Sequence, residues 1–138
     1  MIVLDTNVLS ELMRADASPR VIAWASRQAS TSLFTTSITE AEIFDGLALL
    51  PKGKRRSSLE SAVTGLFSDF EGRVLAFDSD AARSYATLAA ARRALGRPIA
   101  FADAQIAAIV RSRGGRLATR NGHDFDACGI DLVDPWDD

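Results

Sequence analysis

Asp5, Glu42 and Asp103 stand where a charge is awkward for folding and useful for holding a metal. Asp5 ends the apolar run Met1-Ile2-Val3-Leu4, and Asp103 interrupts the largely apolar segment from Ile99 to Val110. Glu42 lies inside a helical stretch from Ile38 to Leu50. A charge in such surroundings costs several kcal/mol unless something compensates it. One divalent cation shared by all three would compensate them together. Hard oxygen ligands, with no Cys or His among them, suit Mg²⁺ or Mn²⁺ rather than Zn²⁺. Each acid also has a plainer explanation. Asp5 can be a helix cap, Asp103 a first-turn acid at the positive end of a helix, and Glu42 a solvated helix residue.

The elements that must position these acids alternate along the chain. Met1–Leu4 is expected as a buried strand, and Asp5-Thr6-Asn7 caps a helix over Val8–Arg14. Ser18-Pro19 opens a second helix through about Gln28. Leu33–Thr36 is rich in strand formers, and Ser37-Ile-Thr-Glu40 matches a capping box for a helix running to about Leu50. Pro51-Lys-Gly-Lys54 is a break, and Ser58–Phe70 an amphipathic helix. Arg73–Phe77 is expected as a strand, and Asp78 caps an Ala-rich helix ending near Leu95-Gly96. Phe101–Arg113 is a helix stopped by Gly114-Gly115. Arg116–Thr119 and Leu132-Val133 close the pattern as strands. This alternation predicts a single α/β domain over residues 1–138, with a central parallel sheet and helices on both faces.

An open parallel sheet binds its ligands outside the carboxyl ends of its strands. Asp5 and Asn121 both follow strands there, and Glu42 sits in the second turn of a helix that follows a strand directly. Asp103 shares a helical stripe with Ile106, Ala107 and Val110, so it is expected on the core-facing side near its helix start. Four oxygen-bearing residues from four segments are therefore expected at one edge.

Composition narrows the class. The chain is 47% hydrophobic and 25% charged, as globular proteins are, with a net charge of -2. No global basic field advertises nucleic acid, so any such binding must use a local patch. Three basic clusters offer one: Lys52, Lys54, Arg55 and Arg56 in an expected loop; Arg92, Arg93 and Arg97; and Arg111, Arg113, Arg116 and Arg120. The single cysteine, Cys128, suits a reducing compartment. No secretory leader is legible and no apolar run is long enough to span a bilayer, so a cytoplasmic location off the membrane is expected.

Four stretches carry a family resemblance: Ile2-Val-Leu-Asp-Thr-Asn-Val-Leu9, Thr39-Glu-Ala-Glu-Ile-Phe-Asp-Gly46, Ala100-Phe-Ala-Asp-Ala-Gln-Ile-Ala107 and Ala118-Thr-Arg-Asn-Gly-His-Asp-Phe125. In order and separation they resemble PIN-domain proteins, most of all the VapC-type toxins of bacterial type II toxin–antitoxin modules. The likeness extends to the closing Val133-Asp-Pro-Trp136. It implies a Mg²⁺- or Mn²⁺-dependent ribonuclease acting on RNA, dimeric, and held inactive by a cognate antitoxin protein. Carried onto this sequence, the acidic site is Asp5, Glu42 and Asp103. The family's fourth acidic position falls on Asn121, a departure, with Asp124 three residues on as a metal ligand that can share its role. Thr6, Thr119 and Arg120 are expected to support the site or touch phosphate.

The remaining conspicuous residues have structural explanations. His123 fits a turn after Asn121-Gly122, Cys128 a small buried hydrophobe, and Trp24 and Trp136 packing roles. Leu9, Leu12, Met13, Val21, Ile22 and Trp24 are expected to leave an apolar face on the two short helices, suited to an antitoxin helix. Other classes stay open: a metal-dependent nuclease acting on DNA, a catalytically silent metal- or RNA-binding module, and a phosphatase. Asp5-Thr-Asn lacks the second aspartate an aspartyl-phosphate enzyme would use.

Overall fold

The computed structural model describes residues 1–138. Five parallel strands form one sheet in the order β3-β2-β1-β4-β5: β1 is Ile2–Leu4, β2 Leu33–Thr36, β3 Val74–Leu75, β4 Arg116–Ala118 and β5 Asp131–Val133. The helices are α1 (Thr6–Leu12), α2 (Pro19–Ser26), α3 (Ser37–Ala48), α4 (Lys54–Asp69), α5 (Ser79–Ala94) and α6 (Phe101–Arg113). Alternation along β1 explains the two layers. Val3 joins Leu117 under α5 and α6, in a core with Leu88, Ile106 and Ile109. Ile2 and Leu4 face the other way, against Val8, Leu9, Trp24, Ile43, Val63 and Phe67 from α1 to α4. Helices therefore cover both faces, as the alternation requires. No helix is long and apolar enough to cross a membrane.

Several boundaries differ from expectation, each for a local reason. The first helix starts at Thr6, because Asp5 itself is the cap and its Oδ1 accepts from the Thr6 amide at 2.8 Å. The cap of α3 is Thr36 rather than Ser37: its hydroxyl accepts from the Thr39 amide at 3.0 Å. The expected capping box is thus one residue out of register. Helix α4 begins at Lys54, four residues early, so Lys54, Arg55 and Arg56 are helical and only Lys52 stays in the loop. β3 keeps two residues of the five expected, paired through Thr35–Val74 and Thr36–Leu75. Gly114 ends α6 with φ 65°, where a side chain would be strained.

The α1–α2 pair is less exposed than expected. Leu9, Val21 and Trp24 are buried, and Ile22 alone of the six apolar residues is largely open. Next to that pair, a groove of about 560 Å³ runs between α1, α3 and α4, floored by buried core side chains. Met13, Ile43, Leu47, Leu50, Leu59 and Val63 line it, and its rim reaches Thr6 and Glu42.

Candidate active site

The chain runs outward from β1 to β2 and β3, then returns to the other side of β1 with β4. The crevice at this switch, beyond the carboxyl ends of β1 and β4, is where such sheets bind ligands. Asp5 leaves β1 there and Thr119 leaves β4; the Asp5 amide donates to the Ala118 carbonyl at 2.9 Å.

Asp5 is only 5% exposed, yet its carboxylate is well supplied with donors. Thr119 Oγ1 donates to Oδ2 at 2.7 Å and Asn7 Nδ2 to the same oxygen at 3.2 Å, while Oδ1 takes the Thr6 amide. Burial nonetheless pushes the carboxyl above the usual aspartate range, with the Glu42 charge adding to it; the donors pull the other way. Thr119 is the hub of the crevice. Its hydroxyl also accepts from the Asn121 amide at 3.1 Å and from Asn7 Nδ2 at 3.3 Å.

From sequence Asn7 has only a part in the helix cap, and its role at the site was missed. Besides holding Asp5, its Oδ1 accepts from the Arg120 amide at 3.2 Å and ties the end of β4 to α1. The only signal was its spacing, two residues after Asp5. Thr6 donates to Glu42 Oε1 at 2.8 Å and so sets the position of an otherwise exposed glutamate.

Asp103 is half-buried in the first turn of α6, above the buried Ile106, Ala107 and Val110. Its carboxyl is pushed up to about 6, chiefly by burial and then by the charges of Asp5, Asp124 and Glu42, against a smaller opposing pull from Arg92. The four acids therefore share one electrostatic neighbourhood. Asp124 is exposed in a 3₁₀ turn, Gly122–Phe125, whose amide at 124 donates to the Asn121 carbonyl at 2.9 Å.

This turn is clamped from below by Arg92, which is buried rather than part of a surface cluster. Its guanidinium donates to the carbonyls of Asp124 at 2.8 Å, Asp126 at 3.0 Å and Arg97 at 2.7 Å. Of the expected Arg92–Arg93–Arg97 patch, only Arg92 is taken into the fold; Arg93 stays exposed, and Arg97 meets Asp126 at 3.5 Å at the surface. His123 is exposed beside Asp126 in the same turn, and Cys128 is buried, as expected.

No three His, Cys, Asp or Glu side chains are gathered closely enough to hold one ion directly. The expected acids Asp5, Glu42 and Asp103 thus share a neighbourhood without closing on one point, and hydrogen bonds orient the first two. Both Asp5 oxygens already accept protein donors, and Glu42 is held by Thr6. The donor set remains all-oxygen. Mg²⁺ suits such a layout, because it keeps several waters and takes only one or two carboxylates directly.

A PIN-domain model matches residues 2–130. The chain belongs to the PIN-domain family. This PIN domain is 44% identical over 138 residues to a VapC ribonuclease, Y4jK, of Sinorhizobium fredii, the match covering 99% of each chain. It is 37% identical over 139 residues to the toxin FitB of Neisseria gonorrhoeae, across the full length of both. The crystal structure of FitAcB from Neisseria gonorrhoeae superposes with a TM-score of 0.93 at 36% identity, covering 99% of each chain. The α/β architecture expected for a PIN domain is the one observed.

Proposed function

We propose that this PIN domain is the toxin of a type II toxin–antitoxin module and a Mg²⁺- or Mn²⁺-dependent endoribonuclease that hydrolyses RNA phosphodiester bonds. The observation that carries the proposal is the crevice. Four acids from four segments share one electrostatic neighbourhood at the topological switch of a parallel sheet, and burial with mutual repulsion lifts Asp103 to about 6. Full-length similarity to a VapC ribonuclease and to the toxin FitB supports the same function.

Asp5 and Asp103 are assigned as direct metal ligands, with Glu42 and Asp124 holding the ion's water shell or swinging in to it. A bound divalent ion would make a water nucleophilic near neutral pH and neutralise charge developing on phosphate. The rest falls to the chain. Thr119 and Asn7 fix the Asp5 carboxylate, Thr6 fixes Glu42, and Arg92 holds the turn that carries Asp124. An ionised Asp103 can take a proton from water. Asn121 contributes an amide oxygen, a weaker ligand for a hard cation than a carboxylate.

The partners follow the same logic. The groove between α1, α3 and α4 is apolar and opens at Thr6 and Glu42, so an antitoxin segment laid in it would reach the acids. We assign that groove to the cognate antitoxin, and expect a homodimer acting in the cytoplasm. Calorimetric titration of Mn²⁺ tests the site. Wild type should bind, Asp103→Asn should lose most of the affinity, Asn121→Asp should tighten it and Asp124→Ala should weaken it. Unchanged binding by Asp103→Asn overturns the assignment.

A further inference from the structure

The crevice has a second wall that the acids do not explain. Thr119 N–H donates to the Val133 carbonyl at 2.9 Å, which brings the segment after β5 to the same edge of the sheet. That segment is Asp134-Pro-Trp136. Its geometry is fixed: the Trp136 amide donates to Asp134 Oδ1 at 2.9 Å, Pro135 is buried, and Arg20 holds the Trp136 carbonyl at 3.3 Å. The half-buried Trp136 packs with the core around α1 to α4.

Over its ring, 4.8 Å from the centroid, lies the guanidinium of Arg120. Arg120 is exposed and directly follows Thr119, the residue that holds Asp5. No carboxylate lies within 4.0 Å of the Arg120 guanidinium, so its charge is not spent on an ion pair. Its backbone is pinned by Asn7 and its side chain by an indole. An exposed guanidinium resting over an aromatic ring still has a solvent side, and nucleic-acid bases stack on such planes.

We infer that Arg120, laid on Trp136, forms a stacking platform for an unpaired base of the RNA next to the phosphate at the acids. This rests on the ribonuclease function proposed above. The platform makes Arg120 a positioning residue for the substrate. It reads the face of a base, so it favours single-stranded over paired RNA. A phosphate contact by the same side chain would need only the charge, and Arg120→Lys separates the two.

The probe is a fluorescein-labelled single-stranded oligoribonucleotide of mixed sequence, with an abasic backbone of the same length as control. Binding is followed by anisotropy in EDTA, and cleavage of the same oligoribonucleotide in Mn²⁺ is measured alongside. Wild type should prefer the oligoribonucleotide over the abasic strand by about tenfold, the scale of one base stack. Arg120→Lys should erase most of that preference. Trp136→Phe, which keeps a ring under the guanidinium, should retain part of it. In Mn²⁺, Arg120→Lys should raise KM while leaving kcat within about twofold, as lost ground-state binding does. Equal preference in wild type and Arg120→Lys overturns the platform, as does a variant that weakens only antitoxin binding. Absence of cleavage by wild type in Mn²⁺ overturns the ribonuclease function, and the platform with it.

Discussion

At the scale of single residues, the crevice trades stability for chemistry. Asp103 keeps its proton up to about pH 6 in the folded chain, against an ordinary value of 3.8. The folded state thus binds an extra proton between these values. Its contribution is favourable below about pH 4 and is lost as pH rises through 6. Asp103→Asn should therefore stabilise the metal-free protein at pH 7.5 by about 1 to 2 kcal/mol, after allowing for solvent screening of a half-buried group. The gain should vanish near pH 4. Urea unfolding in EDTA at the two pH values measures both, and a destabilised variant at pH 7.5 would contradict the repulsion. Metal affinity should fall as pH drops below 6, because the ion must displace that proton. These acids were legible in the sequence as charges set among apolar residues. Their hydrogen-bond supports were less so: Thr6 and Thr119 could be named, but Asn7 acts across 112 residues on Thr119, a distance no local pattern carries.

At the scale of elements, the α/β order, every strand and every α-helix were legible, because hydrophobic period and turn residues are local signals, whereas the short 3₁₀ turn at Ser30–Ser32 was not. Boundaries were not, where two chemically similar residues compete. Thr36 and Ser37 can both cap a helix, and only the extended φ of -126° at Thr36 decides between them. Thr36→Val should cost about 1 kcal/mol, a lost cap, while Ser37→Ala costs little. Thermal unfolding of the pair checks the register, and the reverse order would restore the original capping box. The buried Arg92 was read as surface because arginine usually is. Arg92→Met leaves the Asp124, Asp126 and Arg97 carbonyls without their donor. A cost of about 2 to 4 kcal/mol is expected, together with faster amide exchange across the Gly122–Phe125 turn and weaker Mn²⁺ binding. Normal exchange in that turn would show that Arg92 does not hold it.

At the scale of the molecule, two surfaces divide the proposed work: the acids and the Arg120–Trp136 wall for RNA, the groove between α1, α3 and α4 for an antitoxin. Expression of the chain alone should arrest growth, and co-expression of the cognate antitoxin should relieve it. Leu50→Asp, at the half-buried rim of the groove, should keep the arrest and lose the relief. Relief that persists in this variant would move the antitoxin off the groove. Light scattering should give about twice the 14.8 kDa chain mass. The central claim is that the acids make a metal-dependent ribonuclease, and its most direct measurement is cleavage of single-stranded RNA by the purified protein. Wild type should cut in Mg²⁺ or Mn²⁺ and stop in excess EDTA, and Asp5→Asn and Asp103→Asn, folded by circular dichroism, should be inactive. Undiminished cleavage by wild type in EDTA, or by either variant in Mn²⁺, would contradict it.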